Sequence, residues 1–433
     1  MDFVGVVCEY NPFHNGHEYH LRESLLRTKA EGVVCVMSGD FVQRGEAAIY
    51  SKYARAEAAC RCGADVVFEL PLPWSLASAE GFARGAVGLL GALGAKTLSF
   101  GTEAERLEDL DFLARKLIEP QTVADIRALM AEDATLSFAA ARQLVLERSC
   151  GPAARLLEGP NNILDVEYLK AIYDLRLELT PLAVRRTGSA HDGAGEGNSR
   201  SASELRGLLR RGEKTSSFMP AGAQAVYEKD AAMGRGTPSR EALETAILSR
   251  LRTLDAARCA ALPDASGGLG ERLLKAAAEE PTWDAVCAAV KNKRLAMARV
   301  RRSVLCAALG VENGMAVGTA PYARLLAATA RGRELLGEIK KTSAVPILTR
   351  PAAVRELDAE SVKIFSLGAA APTGARARAS WNKKMKNRTT EVVRFWLMEF
   401  SQPAAPMRYS PSERRSLSKN TPLQLLRKKP LKP

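Results

Sequence analysis

The sequence predicts an α/β fold. A parallel sheet with helices on both faces occupies the first half, and a mainly helical region follows. Three observations lead there. A short apolar run, Val4, Val6 and Val7, breaks at Asn11-Pro12 and gives way to a helical stripe of Leu21, Leu25 and Leu26. Similar runs recur up to about residue 206, each closed by a turn-forming residue and followed by a helical stretch. Beyond that point the apolar spacing is helical only.

The elements follow in order. The first strand, over 4–7, leads into a helix over 18–28. Further strands are expected over 33–37, ending at Ser38-Gly39, over 66–70, ending at Pro71, and over 97–100, ending at Gly101. A fifth is expected over 182–185, ending near Arg186-Thr187-Gly188. Helices fill the gaps at 51–60, 79–90 and between 107 and 146. In such a sheet ligands bind beyond the carboxyl ends of the strands, where most candidate polar residues fall. From about 204 to 336 the pattern reads as helical, with a start signal at Thr237-Pro238-Ser239-Arg240-Glu241 ahead of Leu243, Ile247 and Leu251. Past Gly368 the chain is rich in Ala, Pro, Arg and Ser and reads as linker, save an apolar pattern over 390–400. The expected division is a nucleotide-binding domain over 1–206, a helical domain over 207–368 and a basic, flexible tail over 369–433.

Composition sets bounds. A chain of 433 residues, 46% hydrophobic and 26% charged, suits a globular protein of two or three domains. No run of about 18 apolar residues is present, so no membrane span or membrane partner is expected. The start, with Asp2 and an immediate strand, does not read as a signal peptide. The eight cysteines form no C-x-x-C pair, and His191 has no cysteine near it, so no metal site is assigned. Reduced thiols and a cytoplasmic location are expected. The net charge is +13, and residues 376–433 carry fifteen Lys and Arg against three acids. Such an extension contacts RNA, DNA or an anionic surface, or is simply solvated. Nothing suggests a protein partner.

The chemistry concentrates at the start. His14-Asn15-Gly16-His17 puts two imidazoles and a glycine at a helix N-terminus, where N–H groups and the dipole favour an anion. Only four histidines occur, and His14, His17 and His20 are close in sequence. After the second strand, Met37-Ser38-Gly39-Asp40-Phe41-Val42-Gln43-Arg44-Gly45 forms a loop whose Ser38, Gln43 and Arg44 are candidates for an acyl or phosphate group; Lys52 and Arg55 follow on the next helix. Gly101 lets a flat ring approach the main chain. Asn161 and Asn162 either cap a helix or reach a ribose or phosphate. Ser201, Ser203 and Arg206 make a second phosphate cradle or a plain helix cap. Lys291 to Arg302 reads as a basic helix whose Lys293, Arg294, Arg299, Arg301 and Arg302 are candidates for an RNA backbone.

The HxGH motif resembles the signature of the nucleotidylyl-transferase superfamily, whose histidines contact ATP phosphates, with a serine pair and arginine as its second signature. More narrowly, EYNPFHNGH, MSGDFVQRGE, SKYARAEAA, GADVVFELP, SAEGFARGAV, FGTE, PNNIL, SASELR and KNKRLAMARVRR, in this order, resemble the tRNA(Met) cytidine acetate ligase family. The resemblance spans about residues 1–352 and is lost after Pro351. It implies a Rossmann-like parallel-sheet domain, activation of acetate by ATP to acetyl-adenylate, and acetylation of N4 of the wobble cytidine of elongator methionine tRNA, with Mg²⁺ on the triphosphate. It implies His14 and His17 as catalytic. It implies an ATP site of Val7, Cys8, Glu9, Tyr10, Asn11, Pro12, Phe13, His14, Asn15, Gly16, His17, Glu18, Tyr19 and His20, with Gly101, Asn162 in preference to Asn161, and Arg186 with Arg185. Two other readings stand beside it: an adenylyltransferase acting on a small phosphorylated coenzyme precursor, and a non-catalytic RNA-binding protein.

Overall fold

The structure, a computed structural model, describes residues 1–186, 200–265, 267–349 and 356–369. The basic tail from residue 370 and the stretch 187–199, with His191, lie outside the described residues. The strands are β1 (Phe3–Cys8), β2 (Gly32–Ser38), β3 (Phe41–Val42), β4 (Glu46–Ala47), β5 (Val66–Leu70), β6 (Thr97–Thr102), β7 (Thr180–Arg185), β8 (Ala323–Ala328) and β9 (Ile347–Leu348). β3 and β4 form a small hairpin; the others form one sheet in the order β7-β6-β1-β2-β5-β8-β9.

The five expected strands are parallel neighbours. Cys8 lies opposite Met37, and Val6 opposite Ser99 on the other side of β1. From β1 the chain winds outward through β2 and β5, then returns to build β6 and β7 on the other side. The reversal opens a crevice at the carboxyl ends of β1 and β6. Both faces of the sheet are covered. Val33, Cys35 and Met37 pack with Leu21, Ala54 and Val226, while Val34 and Val36 pack with Leu89, Leu90, Leu113 and Leu169. Burial on both faces explains why these strands read as unbroken apolar runs.

Two parts differ from the sequence reading. The loop after β2 contains the β3–β4 hairpin, and the stretch read as helical to residue 336 contains β8, with β9 following it inside the expected helical domain. β8 pairs antiparallel with β5, Val66 opposite Ala328. Its sequence, Ala-Arg-Leu-Leu-Ala-Ala, holds no β-branched residue and does not alternate, because all six residues are buried. Tertiary pairing overrides local preference there.

The helices from Arg240 to Leu309 have a core of their own, with Leu248, Leu251, Leu273, Val286, Val300, Val304 and Leu309. Phe41 and Val42 of the hairpin, and Leu72 and Leu76 after β5, are buried in that same core. The sheet and the helical region therefore meet at the hairpin as well as where Ala223, Val226 and Tyr227 pack on the sheet. All eight cysteines are free thiols. Among the described residues no helix is long and apolar enough to cross a membrane.

One buried cation locks the strand ends together. Arg55, on the Lys52–Arg61 helix, is 0% exposed. Its Nε donates to the Tyr50 carbonyl at 3.0 Å, Nη1 to the Glu9 carbonyl, and Nη2 to the Ser38 carbonyl at 3.2 Å and to the Gly39 carbonyl. Arg55→Leu removes the donors and strands four main-chain acceptors. The expected cost is about 3–5 kcal/mol, as for breaking a buried ionic set. It is read as a lower urea midpoint at unchanged slope; an unmoved midpoint would show that the guanidinium is dispensable.

Candidate active site

The crevice at the carboxyl ends of β1 and β6 gathers most of the sequence candidates. After β1 the chain takes a left-handed residue, Tyr10 (φ 46°), and a cis Asn11–Pro12 bond, then enters the Asn15–Thr28 helix with His14 as its N-cap. His14 Nδ1 accepts from Gly16 N at 3.1 Å, and His17 Nδ1 accepts from His14 N at 3.2 Å. The rings stack with centroids 3.7 Å apart. An imidazole whose Nδ1 accepts carries its proton on Nε2 when neutral. Burial, then the charge of Arg186, lowers His14 to about 4. Burial, His14 and Arg186 hold His17 well below its ordinary value. The pair is thus two neutral rings, each with an Nε2–H donor.

The main chain contributes less than the sequence suggested. The N–H groups of Gly16, His17 and Glu18 are all engaged by His14, through its Nδ1 or its carbonyl. The donors left free at this helix end are therefore the imidazoles rather than these three backbone amides. Phe13 N donates to the Tyr227 hydroxyl at 3.0 Å, and Asn15 Nδ2 to the Ser217 carbonyl at 3.1 Å, so the motif is braced from the helical side. His20 is set apart from the stacked pair, its Nε2 3.0 Å from Ser99 Oγ on β6.

Across the crevice, Arg186 Nε donates to the Gly101 carbonyl at 3.1 Å, and a Cβ on Gly101 would stand 3.2 Å from that nitrogen. Arg185 and Arg186 are both exposed at the end of β7. Asn161 is engaged with Glu103, Nδ2 to Oε1 at 2.5 Å. Asn162 is 7% exposed with Oδ1 unpartnered.

On the β2 side, Ser38 is fully buried and its hydroxyl has no partner. Gln43 N donates to Glu9 Oε1 at 2.8 Å, pinning the hairpin turn to β1. Arg44 is exposed at the turn. Gly45 has φ +74°, and a Cβ there would come within 2.6 Å of Arg302 N, so only glycine allows the turn to sit on that helix. Beneath the loop Lys52 Nζ lies 2.5 Å from Glu69 Oε1 and 3.6 Å from Asp40 Oδ2, and Arg324 of β8 donates to Glu69 Oε2 at 3.0 Å. Burial alone would push Lys52 down, but Glu69 and Asp40 hold it above its ordinary value. Burial raises Glu9, against the pull of Gln43 N–H and Arg55.

The second cradle is partly brought to this site. Ser201 is a helix N-cap in a reciprocal capping box with Glu204, and Ser203 is exposed. Arg206 is buried and donates through Nη1 to the Asn11 carbonyl at 3.0 Å, with Glu46 3.6 Å from its Nε. It supports the HxGH turn from below. The basic stretch is not one helix. Asn292 Oδ1 accepts from Arg294 N and Leu295 N in a turn, and the helix begins at Met297. Lys293 and Arg294 are exposed on that turn. Arg299 donates to the Asp264 carbonyl at 2.7 Å, Arg301 pairs with Glu46 at 3.3 Å, and Arg302 donates to the Gln43 carbonyl at 3.3 Å. Tyr227, Arg324 and Asp165 also belong to the site's surroundings. Tyr227 and Arg324 carry no signal in their sequence context, because they arrive from far along the chain, and Asp165 stands three residues after Asn162 on the same helix.

A family model described as HIGH Nucleotidyl Transferase matches residues 1–385, running past the point where the sequence resemblance was lost. The tRNA(Met) cytidine acetate ligase of Syntrophotalea carbinolica is 39% identical over 358 residues, covering 81% of this chain and 85% of that protein. The enzyme of the same name from Thermosipho melanesiensis is 34% identical, covering 81% and 85%. The chain belongs to the tRNA(Met) cytidine acetate ligase family. Its fold is similar to a crystal structure of Thermotoga maritima TmcAL without ligand, with TM-score 0.77 and 30% identity over 84% of this chain and 92% of that one. A second structure of that ligase, bound with alpha-thio ATP, gives TM-score 0.76 and 31% identity over the same shares.

The histidines give this ligase a pH signature. In the unfolded chain an imidazole titrates near 6.5, whereas burial holds folded His20 at about 4. Between those values the unfolded state binds the extra proton, so this contribution to stability is lost as pH falls. The Tm difference between the unaltered chain and His20→Gln should narrow from pH 7.5 to pH 5, followed by scanning fluorimetry. A constant difference would mean that His20 titrates normally.

Proposed function

We propose that this protein activates acetate with ATP and transfers the acetyl group to N4 of a tRNA(Met) cytidine. The observation that carries the reading is the stacked pair His14 and His17, neutral and offering Nε2–H donors at the crevice between β1 and β6. An acetate oxygen attacks the α-phosphorus, the bond to the bridging oxygen breaks, and diphosphate leaves. Negative charge builds on the α-phosphoryl oxygens and the leaving diphosphate. Two neutral, preorganised donors in a largely buried site stabilise that charge without prior proton transfer. Arg186, across Gly101, adds a fixed positive charge on the nucleotide side. The hairpin side then takes the acetate, with Ser38, Gln43 and Arg44 as its residues. In the second step the cytidine amine attacks the acetyl carbonyl, loses a proton, and AMP leaves.

Mg²⁺, bound to the triphosphate, would neutralise phosphate charge in this reaction; among the described residues no group of three His, Cys, Asp or Glu side chains is placed to hold a metal. The tRNA backbone is assigned to the exposed Lys293 and Arg294. Arg299, Arg301 and Arg302, engaged with Asp264, Glu46 and Gln43, set the helix against the hairpin.

His17→Ala should lower acetate-dependent AMP formation by about 10²–10³-fold, the usual loss for one such donor, with the thermal unfolding cooperativity retained. Full activity would refute the phosphate role. For RNA, Lys293→Ala with Arg294→Ala should reduce the slope of log K against log salt by about 2, one per lost phosphate contact. Filter binding at several salt concentrations reads it, and an unchanged slope would place the RNA elsewhere.

A further inference from the structure

In the transfer step a proton leaves the cytidine amine and needs an acceptor. His14 and His17 do not offer one, because each Nδ1 already accepts from the main chain and each Nε2 carries a hydrogen. Most carboxylates near the strand ends are also committed. Asp40 and Glu69 are buried against Lys52, Glu46 is shared by three arginines, and Asp165 is sealed from solvent. Glu9 differs. It follows β1 directly, five residues before His14, and is half-buried. Its Oε1 accepts from Gln43 N at 2.8 Å, which sets the carboxylate against the turn proposed for acetate. Its Oε2 has no partner among the described residues and is open to solvent. The main chain that bears it is fixed, since Arg55 holds the Glu9 carbonyl and Arg206 the Asn11 carbonyl.

Phosphate and acetate oxygens bring no donor to such an acceptor. The exocyclic amine of cytosine does, and a carboxylate is a fitting acceptor for it. We propose that Glu9 is a catalytic residue of the transfer step, whose Oε2 accepts a hydrogen bond from the cytidine N4 amine and takes its proton. The proposal rests on the reading of this crevice as the site of acetyl-adenylate. The nitrogen lone pair forms the C–N bond to the acetyl carbon, and an N–H proton passes to Oε2. The carbonyl electron pair moves onto its oxygen and returns as the C–O bond to the phosphate breaks, and AMP leaves with the electrons of that bond. Glu9 then releases the proton to water on its open side. The charged and titratable groups around it are Arg44 on the turn, Arg55, Arg206 and, from the Pro160–Asp174 helix, Tyr168. Burial outweighs the pull of Gln43 N–H and the arginines and raises the Glu9 carboxyl above its ordinary value. A base whose value lies nearer the working pH is the better proton acceptor.

The test is single-turnover acetyl transfer from synthetic acetyl-adenylate to an unmodified tRNA(Met) transcript, by the full chain and by Glu9→Gln, from pH 7.5 to pH 4.5. Glutamine keeps the side-chain shape and the acceptor for Gln43 N but takes no proton. The expected result at pH 7.5 is a loss of about 10²-fold or more in the transfer rate, the usual range for a general base. Acetate-dependent exchange of diphosphate into ATP, which reports the first step alone, should fall far less. The unaltered chain should also slow as pH drops through the Glu9 value, because a protonated carboxyl takes no second proton, and Glu9→Gln should lack that limb. A variant with the full transfer rate, or with the same acid limb, overturns the proposal. So does an equal loss in both reactions, which would make Glu9 a ligand of the nucleotide. If the variant does not fold, the unaltered chain decides, since a transfer rate that stays flat to pH 4.5 overturns the proposal. Failure of the unaltered chain to transfer acetyl at any pH would instead overturn the proposed function, and this proposal with it.

Discussion

The site is assembled around a guanidinium that no solvent reaches. Parallel strands end with carbonyls aimed into the crevice, and a buried carbonyl needs a donor. Arg55 serves four of them at once, from Glu9, Ser38, Gly39 and Tyr50. A planar fork of five N–H groups suits that task, and a lysine, a point charge on a flexible stem, does not. With the ends of β1 and β2 fixed, the HxGH turn and the loop proposed for acetate hold one spacing. Lys52, one turn earlier, repeats the principle with Glu69 and Asp40. Two buried cations thus sit side by side, with carboxylates close by that compensate them.

The hairpin between these cations and the helical region ties the crevice to the helical core. Glu46 lies within 3.6 Å of Arg206, 3.4 Å of Arg210 and 3.3 Å of Arg301. Arg206 also holds the Asn11 carbonyl, and Arg302 holds the Gln43 carbonyl. Phe41 and Val42 are packed among the leucines and valines of the helical core. The turn carrying Gln43 and Arg44 is therefore fixed from both sides, and the helix beginning at Met297 bears on the loop assigned to acetate.

The histidines show how charge is managed. A protonated imidazole would bind triphosphate more strongly in the ground state. In the proposed reaction neutral donors would give less to binding and hold their geometry as charge develops, which favours the transition state. Burial keeps them neutral, and their Nδ1 atoms are held by the main chain of the same turn.

Much of this was legible in the chain itself. Apolar runs such as Val33 to Met37 announce strands because both sheet faces are buried, and His14-Asn15-Gly16-His17 after a strand and a turn announces an anion site because the pattern is local. The sequence alone determined the five parallel strands, the helix bearing the histidines, and the family. Tertiary structure alone decided that Ala323–Ala328 is a strand, that Arg206 braces Asn11, and that Glu9 holds the hairpin turn at Gln43 N. The reason is range. Periodicity and turn chemistry act over a few residues and are written where they act. Contacts such as Arg324 with Glu69 or Phe13 with Tyr227 join residues hundreds of positions apart. Only packing reveals them.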